Sequence, residues 1–140
     1  MSVKKPNIYP ELKILIVDDV PVILTKMRIA LRNIGFRKID EAKNGEQAWM
    51  WLQTEHACDA PYQLVITDIN MPKLNGLQLL ERIKADQFLS KTPVFMVTTR
   101  DEMETVLKAI QMGASNYLIK PFDEEKIKSK ILEIFYKEDE

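Results

Sequence analysis

The chain has 140 residues, of which 46% are hydrophobic and 29% charged, and its 20 basic and 21 acidic side chains leave a net charge of −1. That is one domain of ordinary globular composition, long enough to bury a core. Near-neutrality removes the global electrostatic reason to bind nucleic acid, the single cysteine Cys58 cannot close an intramolecular disulfide, and no apolar run approaches the roughly 18 residues of a membrane span.

Residues 1–11, with Pro6 and Pro10, read as an extended lead-in without the apolar core of a signal peptide, which predicts a cytoplasmic protein. Leu12–Val17 is the first predicted strand. Val20–Ile34 follows with helical spacing of Ile23, Met27, Ala30, Leu31 and Ile34, ended by Gly35. Lys38–Ala42 is a weaker strand. Asn44-Gly45 opens a helix over Glu46–Glu55, and residues 54–61 read as a longer loop. Leu64–Thr67 is the third strand and Leu77–Asp86 the third helix, opened by Gly76. Val94–Thr98 is the fourth strand, and the Glu102–Met112 helix after it closes at Gly113. Tyr117–Lys120 is a weak fifth strand, followed by a helix over Glu124–Tyr136 and a frayed tail at 137–140.

Strand and helix therefore alternate five times. Ile14-Leu15-Ile16-Val17, Leu64-Val65-Ile66 and Val94-Phe95-Met96-Val97 are apolar at consecutive positions, so both faces of those strands are buried. This predicts an α/β, doubly wound fold with a five-stranded parallel sheet covered by helices on both faces. Ligands of such sheets bind beyond the carboxyl ends of the strands. The residues there are Asp18 and Asp19 after the first strand, Asp68 after the third, Thr98 and Thr99 after the fourth, and Lys120 before Pro121 after the fifth.

The first, third and fourth strands should lie side by side, with the fifth beyond, so three carboxylates, a hydroxyl and an ammonium converge. Clustered carboxylates repel, and a hard divalent cation such as Mg2+ is the ordinary compensation. A carboxylate beside the cation can act as a nucleophile, and the hydroxyl and ammonium suit phosphoryl oxygens. Singly, each residue has a plainer role: Asp18 or Asp19 as a helix cap, Asp68 as a turn residue, Thr98 as part of its strand, Lys120 as a solvated charge.

The motifs Ile-Leu-Ile-Val-Asp-Asp, Val-Ile-Thr-Asp-Ile-Asn-Met-Pro-Lys-Leu-Asn-Gly, Val-Thr-Thr and Gly-Ala-Ser-Asn-Tyr-Leu-Ile-Lys-Pro-Phe resemble those of response regulator receiver domains, most closely the stand-alone chemotaxis regulators of the CheY type. The resemblance runs from about Leu12 to Phe135. It implies a flavodoxin-like (βα)5 fold with strand order 2-1-3-4-5 and a receiver unit over 12–136. By the resemblance, Asp68 is the phosphoacceptor. Asp18, Asp19, Asp68 and the Asn70 carbonyl hold Mg2+, Thr98 is the switch hydroxyl, Lys120 binds phosphate and Tyr117 is the switch aromatic. The Lys120–Pro121 bond is expected to be cis.

The implied phosphodonor is a histidine kinase, and the implied output partner a flagellar motor switch protein; an auxiliary phosphatase is a further partner. The protein would catalyse its own phosphorylation and dephosphorylation without separate substrate turnover. A phosphorelay or phosphate-sink role is the alternative output. An aspartyl-nucleophile phosphatase would want an acid where Asn70 stands, and a flavin-binding module a glycine-bearing phosphate loop where Asp18-Asp19-Val20-Pro21 stands. The family span leaves no DNA-binding effector in these residues. Arg100 replaces an acid found in the best-known chemotaxis regulator and, with Lys73, flanks the phosphoryl site.

Other features are set aside. Trp49 and Trp51 lie about 200° apart on a helix, so Trp49 is expected to be buried and Trp51 more exposed. His56 is the only histidine and lies away from the site. Lys126, Lys128 and Lys130 read as a solvated face beside Ile127 and Ile131, or as a cationic edge for an acidic partner.

Overall fold

The computed structural model describes residues 10–135; the start of the lead-in, Tyr136 and the tail at 137–140 lie outside the described residues. The elements are β1 (Lys13–Val17), α1 (Pro21–Ile34), β2 (Lys38–Ala42), α2 (Gly45–Ala57), β3 (Leu64–Asp68), α3 (Gly76–Ala85), β4 (Val94–Thr98), a 3-10 turn (Arg100–Glu102), α4 (Met103–Gln111), β5 (Asn116–Ile119) and α5 (Glu124–Phe135). All strand pairings are parallel, in the order β2-β1-β3-β4-β5. Among the described residues, no helix is long and apolar enough to cross a membrane.

The side-chain alternation of each strand builds two cores, one per face. Leu15, Val17, Val65, Val94 and Met96 pack on one face with Leu52 of α2, Leu79, Leu80 and Ile83 of α3, and Val106 and Ala109 of α4. Ile14, Ile16, Leu64, Ile66, Phe95 and Val97 pack on the other with Leu24, Met27 and Leu31 of α1 and Ile127 and Ile131 of α5. Each such aliphatic side chain contributes about 1.5–3 kcal/mol on leaving water. β3 and β4 are buried throughout, whereas β2 at the sheet edge exposes Lys38 and Asp40, which is why its sequence signal is weak.

Several element boundaries shift by one residue from the sequence reading, and three features differ further. α2 runs on to Ala57, so the loop is shorter than 54–61; Ala60 closes the turn by donating to the Glu55 carbonyl at 2.8 Å, with Asp59 at a φ of 62°. The segment read as one helix from Glu102 begins instead as the 3-10 turn Arg100–Glu102, and Ile110 on α4 is exposed. The plainer alternative for Asp18, a cap of α1, is not seen: its carboxylate accepts from the Val20 N–H at 2.9 Å, and the N-cap Val20 has no side-chain cap bond. Trp49 and Trp51 are both half-buried against the same core. The buried stripe of α2 is Gly45, Ala48 and Leu52, and the two indoles flank it on either side, each large enough to reach inward.

Two glycines hold the loop after β3 against the helices. A Cβ on Gly45 would stand 2.2 Å from the Leu74 carbonyl oxygen, and one on Gly76 would stand 2.3 Å from that of Asp68. α3 starts directly against the end of β3, with Asn75 and Gln78 forming a reciprocal cap.

Candidate functional site

The carboxyl ends of β1 and β3 deliver the acidic residues. Asp18 and Asp68 are buried and Asp19 is exposed at the mouth. One carboxylate oxygen from each of the three lies within 4.8 Å of the others. Lys120, just past β5, reaches across β4's end. Its Nζ stands 3.3 Å from Asp18 Oδ2 and 3.4 Å from Asp68 Oδ1. The Lys120–Pro121 bond is cis.

One ammonium therefore pairs with two of the three clustered carboxylates. Asp68 Oδ1 also accepts from the Ile69 N–H at 2.9 Å. Burial, then the charge of Asp18, push the Asp68 carboxyl up from 3.8 to about 6, against the pull of Lys120 and the Ile69 amide. The negative charge is thus under-compensated. A hard divalent cation needs oxygen ligands of this kind and can keep several waters; the carboxylate set fits Mg2+, with exposed Asp19 open to solvent.

Thr98 closes β4 and is buried. Its hydroxyl donates to the Thr99 carbonyl at 3.3 Å, and its own carbonyl accepts from the Lys120 N–H at 2.7 Å. Tyr117 on β5 is half-buried, with Lys130 Nζ 4.5 Å from its ring centroid. Asn70 is exposed, and its amide donates to the carboxylate of Glu102. Arg100, Ile119, Lys120, Pro121 and Lys126 line a cleft of about 470 Å³ beside the site.

A domain-length comparison decides the family: the response regulator receiver domain pattern matches residues 14–132. The chain belongs to the response regulator receiver domain family. It is 33% identical to the chemotaxis protein CheY1 of Helicobacter pylori strain J99 over 120 residues, covering 86% of this chain and 94% of that protein. It is 36% identical to the chemotaxis protein CheY-3 of Vibrio cholerae over 124 residues, covering 89% and 92%. The Borrelia burgdorferi CheX–CheY complex with beryllofluoride and magnesium contains a chain 26% identical, at a TM-score of 0.81, covering 91% of this chain and 92% of that one. This receiver is of the CheY type, which supports two-component signalling in a chemotaxis-like role.

The structure brings Asp18, Asp19, Asp68 and Lys120 of the expected set together. Thr98 and Tyr117 lie on adjoining strands, with the Thr98 hydroxyl bonded to Thr99 rather than to Asp68. Asn70 meets Glu102, a contact the sequence reading missed; 32 residues separate the two, and no motif links them. The backbone N–H groups of Val20 and Ile69, which orient the two buried carboxylates, were also missed, because every residue carries one. His56 lies away from this cluster, stacked on Phe88 with ring centroids 4.9 Å apart, and Cys58 is exposed.

Proposed function

We propose that this receiver accepts a phosphoryl group on Asp68 from the phosphohistidine of a histidine kinase and thereby changes its affinity for an output partner. The convergence of Asp18, Asp19 and Asp68 within 4.8 Å, with Lys120 bridging two of them, carries the reading. Asp18, Asp19, Asp68 and the Asn70 backbone carbonyl would hold Mg2+, which would supply positive charge between the carboxylates and the incoming phosphoryl oxygens.

An Asp68 carboxylate oxygen attacks phosphorus, the phosphorus–nitrogen bond breaks, and the electron pair returns to the imidazole, which takes up a proton. Ile69's N–H fixes the carboxylate that attacks, and Lys120 meets the charge developing on the transferred group. Thr98 then turns toward the phosphoryl group and Tyr117 follows. Water resets the site, leaving Asp68 and inorganic phosphate, with no separate substrate turned over. Asn70, its amide engaged by Glu102, is no general acid, which disfavours a dedicated phosphatase.

The output face combines α4, β5 and α5, where Leu107 and Ile110 are exposed and Lys126 and Lys130 flank Tyr117. A flagellar motor switch protein is the proposed occupant, from the CheY relatives; a protein of the CheX kind, as in the Borrelia complex, is the proposed second partner. The working unit spans residues 12–136 and acts in the cytoplasm.

Incubation with acetyl phosphate and Mg2+ should add one acid-labile phosphoryl group, absent from Asp68→Asn. Labelling that persists in Asp68→Asn would remove the assignment. Capture with the beryllofluoride-loaded protein should recover a motor switch protein; phosphorylation without such recovery would favour the phosphate-sink alternative.

A further inference from the structure

The turn Arg100–Glu102 between β4 and α4 buries none of its residues. Residues two apart in a 3-10 turn project to different sides. Arg100 accordingly lines the cleft of Lys120 and Lys126, while Glu102 accepts a hydrogen bond from the Asn70 amide. The Glu102 N–H donates to the Thr99 carbonyl at 3.2 Å. That same carbonyl accepts the Thr98 hydroxyl at 3.3 Å. The Thr99 carbonyl thus receives both the Thr98 hydroxyl and the Glu102 backbone N–H, and the Glu102 side chain ties this turn to the loop after Asp68.

We propose that Glu102 is a positioning residue: through Asn70 and the Thr99 carbonyl it holds the Thr98 hydroxyl away from Asp68 until a phosphoryl group competes for it. The inference rests on Asp68 being the phosphoacceptor. Its physical basis is the sign of the charge. A phosphoryl group brings nearly two negative charges and strong acceptor oxygens to a position two residues from Asn70. It repels the Glu102 carboxylate and offers the Asn70 amide another acceptor, so the arrival of the group itself loosens the bond that resists switching. Before then, that bond lowers the population of the inward Thr98 state, and by linkage lowers apparent affinity for any ligand that selects it.

The test reads the Thr98 methyl and amide resonances in unphosphorylated protein, with the beryllofluoride–Mg2+ form as the switched endpoint. Removing one such exposed bond in Glu102→Ala should raise the inward population about three- to tenfold. The half-saturating beryllofluoride concentration should fall by the same factor. Glu102→Gln keeps an acceptor oxygen for Asn70 and should restore both values toward wild type. In an Asn70→Ala background, Glu102→Ala should add nothing. Wild-type resonances and half-saturation in Glu102→Ala would overturn the proposal, as would Glu102→Gln matching Glu102→Ala, since bare charge would then suffice. Wild-type protein that takes up no beryllofluoride would sink the Asp68 reading and this inference with it; uptake with an inert Glu102→Ala sinks this inference alone.

Discussion

The two ends of the parallel sheet treat charge in opposite ways. At the amino end of β1, Lys13 Nζ meets Glu55 Oε1 at 2.5 Å and the Ala60 carbonyl at 2.7 Å, and lies 4.8 Å from the Tyr62 ring centroid. The Tyr62 hydroxyl donates to Asp40 at 2.6 Å; burial, with Asp40 alongside, pushes its pKa up. Each group there has its partner. At the carboxyl end three carboxylates cluster and one lysine pairs with two of them, and Asp68 remains raised to about 6. A satisfied cluster strengthens the fold and asks for nothing further, whereas an under-compensated one weakens it and invites a cation and an anion from solution. The same backbone architecture supports both because the strand ends are set by the cores, not by the charges.

The sharpest break in this comparison is Asp68→Asn. It should abolish phosphorylation by acetyl phosphate yet raise the stability of the metal-free protein at neutral pH by on the order of 1–3 kcal/mol, read from urea unfolding, because it removes a buried charge beside Asp18. Gly76→Ala should cost about 1–3 kcal/mol or more and slow phosphorylation, since the new methyl group meets the Asp68 carbonyl and the backbone there must shift. Both effects are measurable on one preparation by thermal unfolding and labelling.

A pH series should separate the two ends further. Folded Asp68 binds its proton more tightly than unfolded Asp68, so the metal-free protein holds more protons between about pH 4 and 6. Its stability should fall as pH rises through that window and level off above it; saturating Mg2+ should flatten the fall. A Mg2+-independent profile would remove Asp68 from the metal set. The smallest effect is expected at the satisfied end. Tyr62→Phe should cost about 0.5–1.5 kcal/mol, from loss of one hydrogen bond, and leave the phosphorylation rate unchanged.

What was legible in the sequence follows from which signals are local. The three central strands declare themselves because both of their faces are apolar. Once alternation implies a doubly wound sheet, the topology alone gathers Asp18, Asp19, Asp68, Thr98 and Lys120 at one edge. The separate role expected of each rests on the family motifs rather than on spacing. Edge strand β2, half solvated, was faint. The reach of α2 to Ala57 depends on a turn closed by Glu55 and Ala60, and both tryptophans touch the core because indole is wide. The Asn70–Glu102 bond and the close backbone approaches at Gly45 and Gly76 are tertiary, and composition carries no trace of which distant atom a residue meets.

The contact of Gly76 with the end of β3 has one more consequence. On that flank backbone meets backbone with no room even for a methyl group, whereas the Arg100–Glu102 flank buries none of its residues. Asp68 thus sits between a tightly packed wall and an open one. Bulk added at Asp68 would meet unequal resistance, least on the side of the Arg100–Glu102 turn.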